Sequence, residues 1–393
     1  MYANLFWRYL AHTSLKPLAF EIYKAKGCYL YNRNYIPYLD CISGISVSNL
    51  GHSNKKILKS IIKQLKKYSH TMVYGEHIQK PQVLLAKKLI KITNKNFEKV
   101  YFTNSGAESV DLALKLSLLY TNKQKIVAFY GSYHGSTLAA TSLRRYDNYS
   151  YFNFLKNEII FLRYNDENEL ERIDKETACV IVEPIQSESG YIKANNSFLQ
   201  KLREICNYNN ALLIFDESQS GLGRTGFYFA YQYYNIVPDI LIVAKALGGG
   251  LPLGAVLSSS QIFSVISEKH PLIHLTTFGG NPICCSASLA AIDLLEKLLP
   301  KISKKEKLFR KYLKHNLINN INGIGLMLGI EFSDPNIVTE IIKHCYDNYI
   351  LVDWFLFNNK SIRICPPLII KEKEIKKVCQ TIISGLNNIS FTQ

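Results

Sequence analysis

Lys245 closes a continuous apolar run, Ile240-Leu241-Ile242-Val243-Ala244, and leads into Ala246-Leu247-Gly248-Gly249-Gly250. A run of this kind, with no polar alternation, predicts a strand buried on both faces. An ammonium at its end is costly to desolvate, so the amine should either give up its proton more readily than usual or be covalently modified. A desolvated lysine amine is the nucleophile that forms Schiff bases with aldehydes. The glycines let another group approach the backbone closely. The alternative is a strand-end lysine that reaches solvent along its own stem.

Three further segments carry compatible chemistry. Thr103-Asn104-Ser105-Gly106-Ala107-Glu108 lies between a strand pattern and a helix pattern. Free N–H groups at a helix start form an anion site, to which the Ser105 hydroxyl adds; by itself the segment reads equally as an ordinary N-cap. Tyr133-His134-Gly135 sets an aromatic beside a glycine, suited to lie flat on a planar ring but also to pack in a core. Asp216 ends the apolar run Ala211 to Phe215 and needs a cationic partner, for which a protonated pyridine nitrogen would serve. Gly221-Leu222-Gly223-Arg224-Thr225-Gly226 has a superficial likeness to a dinucleotide loop but lacks the downstream context of a Rossmann unit. An aldehyde-binding lysine, a carboxylate for a pyridinium, a stacking aromatic and a helix-end phosphate site together describe pyridoxal 5′-phosphate.

Composition removes other classes. The chain has 393 residues, enough for two domains, and a formal net charge of +16. The lysines are scattered (Lys55-Lys56, Lys87-Lys88, Lys304-Lys305) rather than gathered in a basic arm with interleaved aromatics, so a nucleic-acid partner is not expected. The nine cysteines form no CxxC pair and no Cys/His cluster with zinc-ligand spacing, so neither a metal nor a disulfide framework is expected. Reduced buried thiols, the lack of a secretory pattern at the N-terminus and the lack of an apolar membrane span point to a cytoplasmic protein.

The elements that must position these residues alternate between strand and helix, the pattern of an α/β fold with a mainly parallel sheet. Strands are expected at Val100 to Phe102, Lys125 to Phe129, Ala178 to Val182, Ala211 to Phe215 and Ile240 to Ala244. Helices are expected at Lys56 to Lys67, Glu108 to Leu119 and Phe198 to Asn207. Ligands of such sheets sit outside the carboxyl ends of the strands, where the reactive residues fall. The C-terminal third changes to an α+β pattern, with helices at Ala287 to Leu299, Lys307 to Leu317 and Pro335 to Asp347, and strands at Gly325 to Phe332 and Ser361 to Ile364.

The motif set as a whole resembles the class III, or ω-, aminotransferases. The likeness runs from about Phe20 to about Ile382, through Gly44-Ile45-Ser46, Asn104-Ser105-Gly106-Ala107-Glu108, Tyr133-His134-Gly135, Glu183-Pro184-Ile185-Gln186, Asp216-Glu217-Ser218-Gln219, Ala244-Lys245, Thr277-Phe278-Gly279-Gly280-Asn281-Pro282 and Arg363-Ile364-Cys365-Pro366-Pro367. It implies a fold-type I transferase: a large cofactor-binding domain over 46–275 with a seven-stranded sheet, and a smaller α+β domain from 1–45 and 276–393. It implies that Lys245 carries the cofactor as a Schiff base and that Asp216 holds the pyridine nitrogen protonated. Gln219 would meet the ring hydroxyl, and Tyr133 would stack on the ring. His134 and Glu183 would border the cofactor. Ser105, Gly106 and Ala107 would bind its phosphate, with Thr277 supplied by a second subunit, which makes a homodimer with shared active sites the expected assembly. Arg363 would grip the α-carboxylate of glutamate or 2-oxoglutarate, and Glu188 would pair with it when an ω-amine is bound.

Ile45 stands where ornithine δ-aminotransferases place a tyrosine, so the resemblance is greatest to enzymes of N-acetylornithine or N-succinyl-diaminopimelate, with arginine biosynthesis as the setting. Enzymes of 4-aminobutyrate, ornithine or diamines are the alternatives, and a glutamate-1-semialdehyde aminomutase-like activity is a more distant one. Two departures stand out. Ser136 occupies the position of an arginine that grips a substrate carboxylate, with Arg144 or Arg145 as replacements. Ser187 and Ser189 flank Glu188 where glycines are usual.

Overall fold

The apolar runs assemble into one seven-stranded sheet in the order Lys99–Thr103, Gly254–Ser258, Ile240–Val243, Leu212–Asp216, Thr177–Val182, Lys125–Phe129 and Ile159–Leu162. Gly254–Ser258 runs antiparallel to both neighbours, and every other pairing is parallel. The α/β, mainly parallel sheet expected from the sequence is therefore present. The computed structural model describes residues 2–15, 17–73, 75–144 and 158–390.

The strands are apolar at successive positions because both faces of the sheet are covered. Val127, Phe129, Val180, Val182, Leu213 and Phe215 face one core, while Ile126, Ala128, Cys179, Ile181 and Ile214 face another. The helix Gly106–Thr121 packs on the second of these faces. The strand ends that carry Ser105, Tyr133, Glu183, Asp216 and Lys245 all open at the same edge, since their strands point the same way.

Two four-stranded sheets flank this edge. One joins Lys24–Lys26, Tyr29–Tyr31, Pro37–Asp40 and Ile350–Leu351, and the other joins Ile318–Ile324, Met327–Phe332, Ser361–Ile364 and Asp353–Trp354. Residues near the start of the chain thus pair with residues near its end, as in the register Leu39 to Ile350.

Two helix boundaries differ from expectation. Helices run from Pro282 to Leu295 and from Leu299 to Tyr312. Asn281 caps the first by accepting a hydrogen bond from Ile283 N at 2.9 Å, and a proline stands in the first turn of each, where a missing N–H leaves no bond unmade. The second helix ends before Leu317 because Ile318–Ile324 is a strand. Its three asparagines (Asn319, Asn320 and Asn322) disguised it as a loop.

A buried arginine ties the flanking sheets to the large one. Arg224 is fully buried. Its Nη1 donates to the carbonyls of Leu326 (3.0 Å) and Pro366 (2.5 Å), and its Nη2 donates to Ser43 Oγ (3.1 Å) and Asn49 Oδ1. Among the described residues no carboxylate pairs with it.

Candidate active site

A cavity of about 740 Å³ opens at the carboxyl edge of the large sheet, within the range of small-molecule sites. The strand before Lys245 stops at Val243, and the lysine begins a 3-10 turn, Lys245–Gly248, with φ of +47°. That left-handed angle is strained for a lysine and is kept where the surroundings fix the side chain's direction. Lys245 is half-buried in the cavity wall rather than enclosed in the core, which corrects the picture of a fully desolvated strand-end amine.

Asp216 lies across the cavity floor, buried. Its Oδ2 accepts from His134 Nδ1 at 2.8 Å and its Oδ1 from Ser218 N at 3.0 Å. Burial pushes its carboxyl up, but the hydrogen bond and charge of His134, with the bonds from Ser218, outweigh this and hold it below the usual carboxylate range. His134 Nε2 is buried without a partner. Glu183 sits behind this pair and does not line the cavity. It accepts from Tyr133 N at 2.9 Å and Ser187 N at 3.0 Å, and burial foremost pushes its carboxyl up to about 7. Its role is to fix the backbone that presents Tyr133.

Ser105 caps the helix Gly106–Thr121 through Oγ, which accepts from Glu108 N at 3.2 Å. The ordinary N-cap is thus real. The same helix start lines the cavity through Ser105, Gly106 and Ala107, and its first N–H groups have no intrahelical acceptor. A Cβ on Gly106 would stand 2.9 Å from Ser218 Oγ. Gln219 is buried with Oε1 unpartnered, but it does not line the cavity. Thr277 is exposed and also lies outside it.

Opposite this end, Arg363 from the strand Ser361–Ile364 is 1% exposed. Its Nη2 donates to Glu188 Oε2 at 2.7 Å, while Nε and Nη1 have no acceptor. The guanidinium lies 4.7 Å from the ring centre of Phe355 and 5.6 Å from that of Tyr191. Burial opposes its charge, but Tyr191, Glu188 and Asp353 outweigh that and hold it protonated. Ile45 completes this wall from a left-handed turn (φ +57°).

The two departures flanking Glu188 have local explanations. Ser187 Oγ donates to Glu183 at 2.5 Å, and Ser189 Oγ donates to the carbonyl of Gly131 at 2.8 Å. Both hydroxyls brace the loop. Among the described residues Ser136 Oγ meets only the Tyr133 hydroxyl, at 3.2 Å. Arg144 lies 4.4 Å from the ring centre of Phe357 and 6.0 Å from that of Tyr133, and Arg145 lies outside the described residues.

Sequence reasoning missed Asp353, Trp354 and Leu356, which also line the cavity. The available signal was Asp353, the one charged residue in the apolar and aromatic stretch Tyr349 to Phe357.

The donor set fits pyridoxal phosphate. There is an amine on the wall, an ionised carboxylate that has an orphaned histidine nitrogen beside it, and a helix start kept clear by glycine.

Comparison with known proteins agrees. The family described as aminotransferase class-III matches residues 9–386. An acetylornithine aminotransferase of Clostridium acetobutylicum is 38% identical over 90% of this chain and 93% of its own length. An acetylornithine/succinyldiaminopimelate aminotransferase of Buchnera aphidicola is 38% identical over 91% and 90%. A crystal structure of the ornithine aminotransferase of Toxoplasma gondii, described as holding pyridoxal phosphate at partial occupancy in its active site, superposes with a TM-score of 0.90 at 26% identity, covering 100% of this chain and 95% of that one.

Proposed function

Since the chain belongs to the class-III aminotransferases, we propose that it moves the terminal amino group of an acylated basic amino acid, N-acetylornithine or N-succinyl-diaminopimelate, to 2-oxoglutarate. It is a pyridoxal phosphate-dependent enzyme. The observation that carries the reading is the buried Arg363–Glu188 pair facing the cavity that also holds Lys245. It supports a site that accepts an ω-amine while the pair is closed and an α-carboxylate once it opens.

Bound pyridoxal phosphate supplies an aldehyde and an electron-withdrawing ring. The chain does the rest. Lys245 Nζ, on the cavity wall, would hold the aldehyde as a Schiff base and, once free, would serve as the base that moves a proton. Asp216, ionised through His134 and Ser218, presents a fixed negative charge that would keep a proton on the ring nitrogen. The N–H groups of Gly106 and Ala107 would hold the phosphate, and Tyr133 would cover the ring face. Gln219 and Thr277 are assigned to the ring hydroxyl and to a partner's phosphate site on the resemblance alone.

A homodimer belongs to this reading. Ile78 is 96% exposed and Leu272 68%, with Met72 and Phe278 also exposed. The helix Tyr2–Tyr9 has no buried residue. A partner subunit would cover these side chains, and Thr277 is the chain neighbour of Phe278. Buried free cysteines favour a reducing compartment, and we assign the enzyme to the cytoplasm. No helix among the described residues is long and apolar enough to cross a membrane.

Mixing the loaded enzyme with N-acetylornithine tests the reading: the visible absorption of the Lys245 Schiff base should disappear and return with 2-oxoglutarate. No spectral change with any ω-amine refutes it. Ser136 favours a second reading, a diamine donor that has no carboxylate to grip. Arg144, held on the Tyr133 and Phe357 rings, supports the first by keeping a guanidinium in the neighbourhood. Ser136→Arg separates the two: a diamine enzyme loses diamine turnover and gains carboxylated donors.

A further inference from the structure

We propose that Asp353 is a specificity-determining residue, a second carboxylate beside Arg363 that weakens the site's hold on α-carboxylates and so sets the balance between the amino acceptor and the ω-amine donor. The inference rests on the reading of Arg363 as the α-carboxylate grip.

Asp353 and Arg363 are register partners across the antiparallel strands Asp353–Trp354 and Ser361–Ile364. Directly opposed residues project on the same face of a sheet, within reach of each other's charge. Both line the cavity. Glu188 takes Nη2 of the guanidinium. Among the described residues Asp353 itself makes no ion pair, so it is not needed to hold Arg363 in place. The result is one cation between two anions at the point where a third anion must dock.

An arriving α-carboxylate can use Nε and Nη1, the two donors without acceptors, or take Nη2 from Glu188. Either way it arrives next to Asp353, and like charges in a partly desolvated place oppose binding. An ω-amine brings only a hydrogen-bearing carbon to that corner and leaves Asp353 indifferent. The penalty therefore falls on glutamate and 2-oxoglutarate alone.

The groups facing Asp353 are Arg363 on the adjacent strand and Glu188 on the loop after Ile185–Gln186. Burial above all, and then the charge of Glu188, raise the Asp353 carboxyl against the opposing pull of Arg363 and the Trp354 N–H. On taking up a proton Asp353 turns from a repelling anion into a hydrogen-bond donor. Acceptor binding should therefore tighten as pH falls through its titration, with the donor half-reaction unaffected by this group.

The test is calorimetric titration of the loaded enzyme with glutarate, a dicarboxylate that has no reactive carbonyl, at pH 6 and pH 8. Asp353→Asn should bind glutarate about tenfold more tightly than the unmodified enzyme at pH 8, with the gap narrowing as pH falls. Asp353→Ser should shift affinity in the same direction. In both variants glutarate affinity should change by a larger factor than the rate at which N-acetylornithine discharges the Schiff base. Unchanged glutarate affinity in both Asp353 variants, with Arg363→Lys still weakened, overturns the assignment of Asp353 alone. Equal affinity in all four proteins overturns it together with the role of Arg363.

Discussion

Arg224 and Arg363 are both buried, and they are buried in opposite ways. Arg224 spends its terminal nitrogens on two carbonyls, a serine hydroxyl and an asparagine amide oxygen, drawn from three separate parts of the chain. Arg363, in a cavity wall, spends Nη2 on a carboxylate and on the Trp354 carbonyl (3.4 Å) and leaves Nη1 without an acceptor. A charge dissolved in neutral dipoles is committed, because removing it strands several acceptors at once. A charge held by one removable counter-ion, with donors in reserve, is available to a ligand. Nε is unpartnered in both; what the two terminal nitrogens bond to, more than the depth of burial, separates the arginine that builds from the arginine that binds.

Exchanging the two roles would break this contrast, and the largest effect is expected at Arg224. Arg224→Ala should lose about 4 kcal/mol of stability through lost hydrogen bonds and a new cavity, lowering the thermal midpoint by roughly 5 °C. The surviving folded enzyme should keep its KM for 2-oxoglutarate within about threefold. Arg363→Lys should do the reverse. Lysine preserves the charge opposite Glu188 but not the fork, so kcat/KM for 2-oxoglutarate should fall about 100-fold while the thermal midpoint moves by less than about 3 °C. A variant of Arg224 that loses acceptor affinity without losing stability would dissolve the distinction.

A smaller effect at Glu217 sharpens the contrast with an anion. Glu217 is fully buried and accepts from Tyr231 N at 2.8 Å and from Ala230 N, so like Arg224 it rests on neutral dipoles. Burial foremost pushes its carboxyl up to about 7. An acid raised in the folded state keeps its proton there while the unfolded chain has already lost it, so its contribution is greatest below the ordinary carboxyl pKa and is lost as pH rises to about 7. Glu217→Gln should remove that decline, up to about 1.4 kcal/mol per pH unit. Denaturant melts from pH 5 to pH 8 should show the variant less stable at the acid end and the gap closing toward pH 8.

The large sheet was legible because its strands are buried on both faces and read as unbroken apolar runs, as at Ile240 to Val243. Lys245, Asp216 and the Ser105 segment were legible because each breaks such a run at its end. What stayed hidden depends on pairing across distance. The strand Ile318–Ile324 is half exposed, so its asparagines face solvent and erase the pattern. The bond between His134 and Asp216 joins residues 82 apart in sequence. Asp353 matters because of Arg363, and nothing in a local window announces that the two lie opposite each other. Glu183 was assigned to the cofactor's border, whereas its bonds to Tyr133 N and Ser187 place it as a support behind the wall.

The turn that carries Ile45 has a practical consequence. Ser43, Gly44, Ile45 and Ser46 all hold φ between +50° and +64°, with Ser43 Oγ anchored to the carbonyl of Cys365 at 2.7 Å. A branched side chain in that region stores about 1 kcal/mol or more that glycine would release. The wall is therefore a loaded spring with its own mooring, separate from the helix start and from the lysine turn. Residue 45 is the place to resize the chamber for longer or bulkier amines, since the strut beneath it keeps its shape whichever side chain it bears.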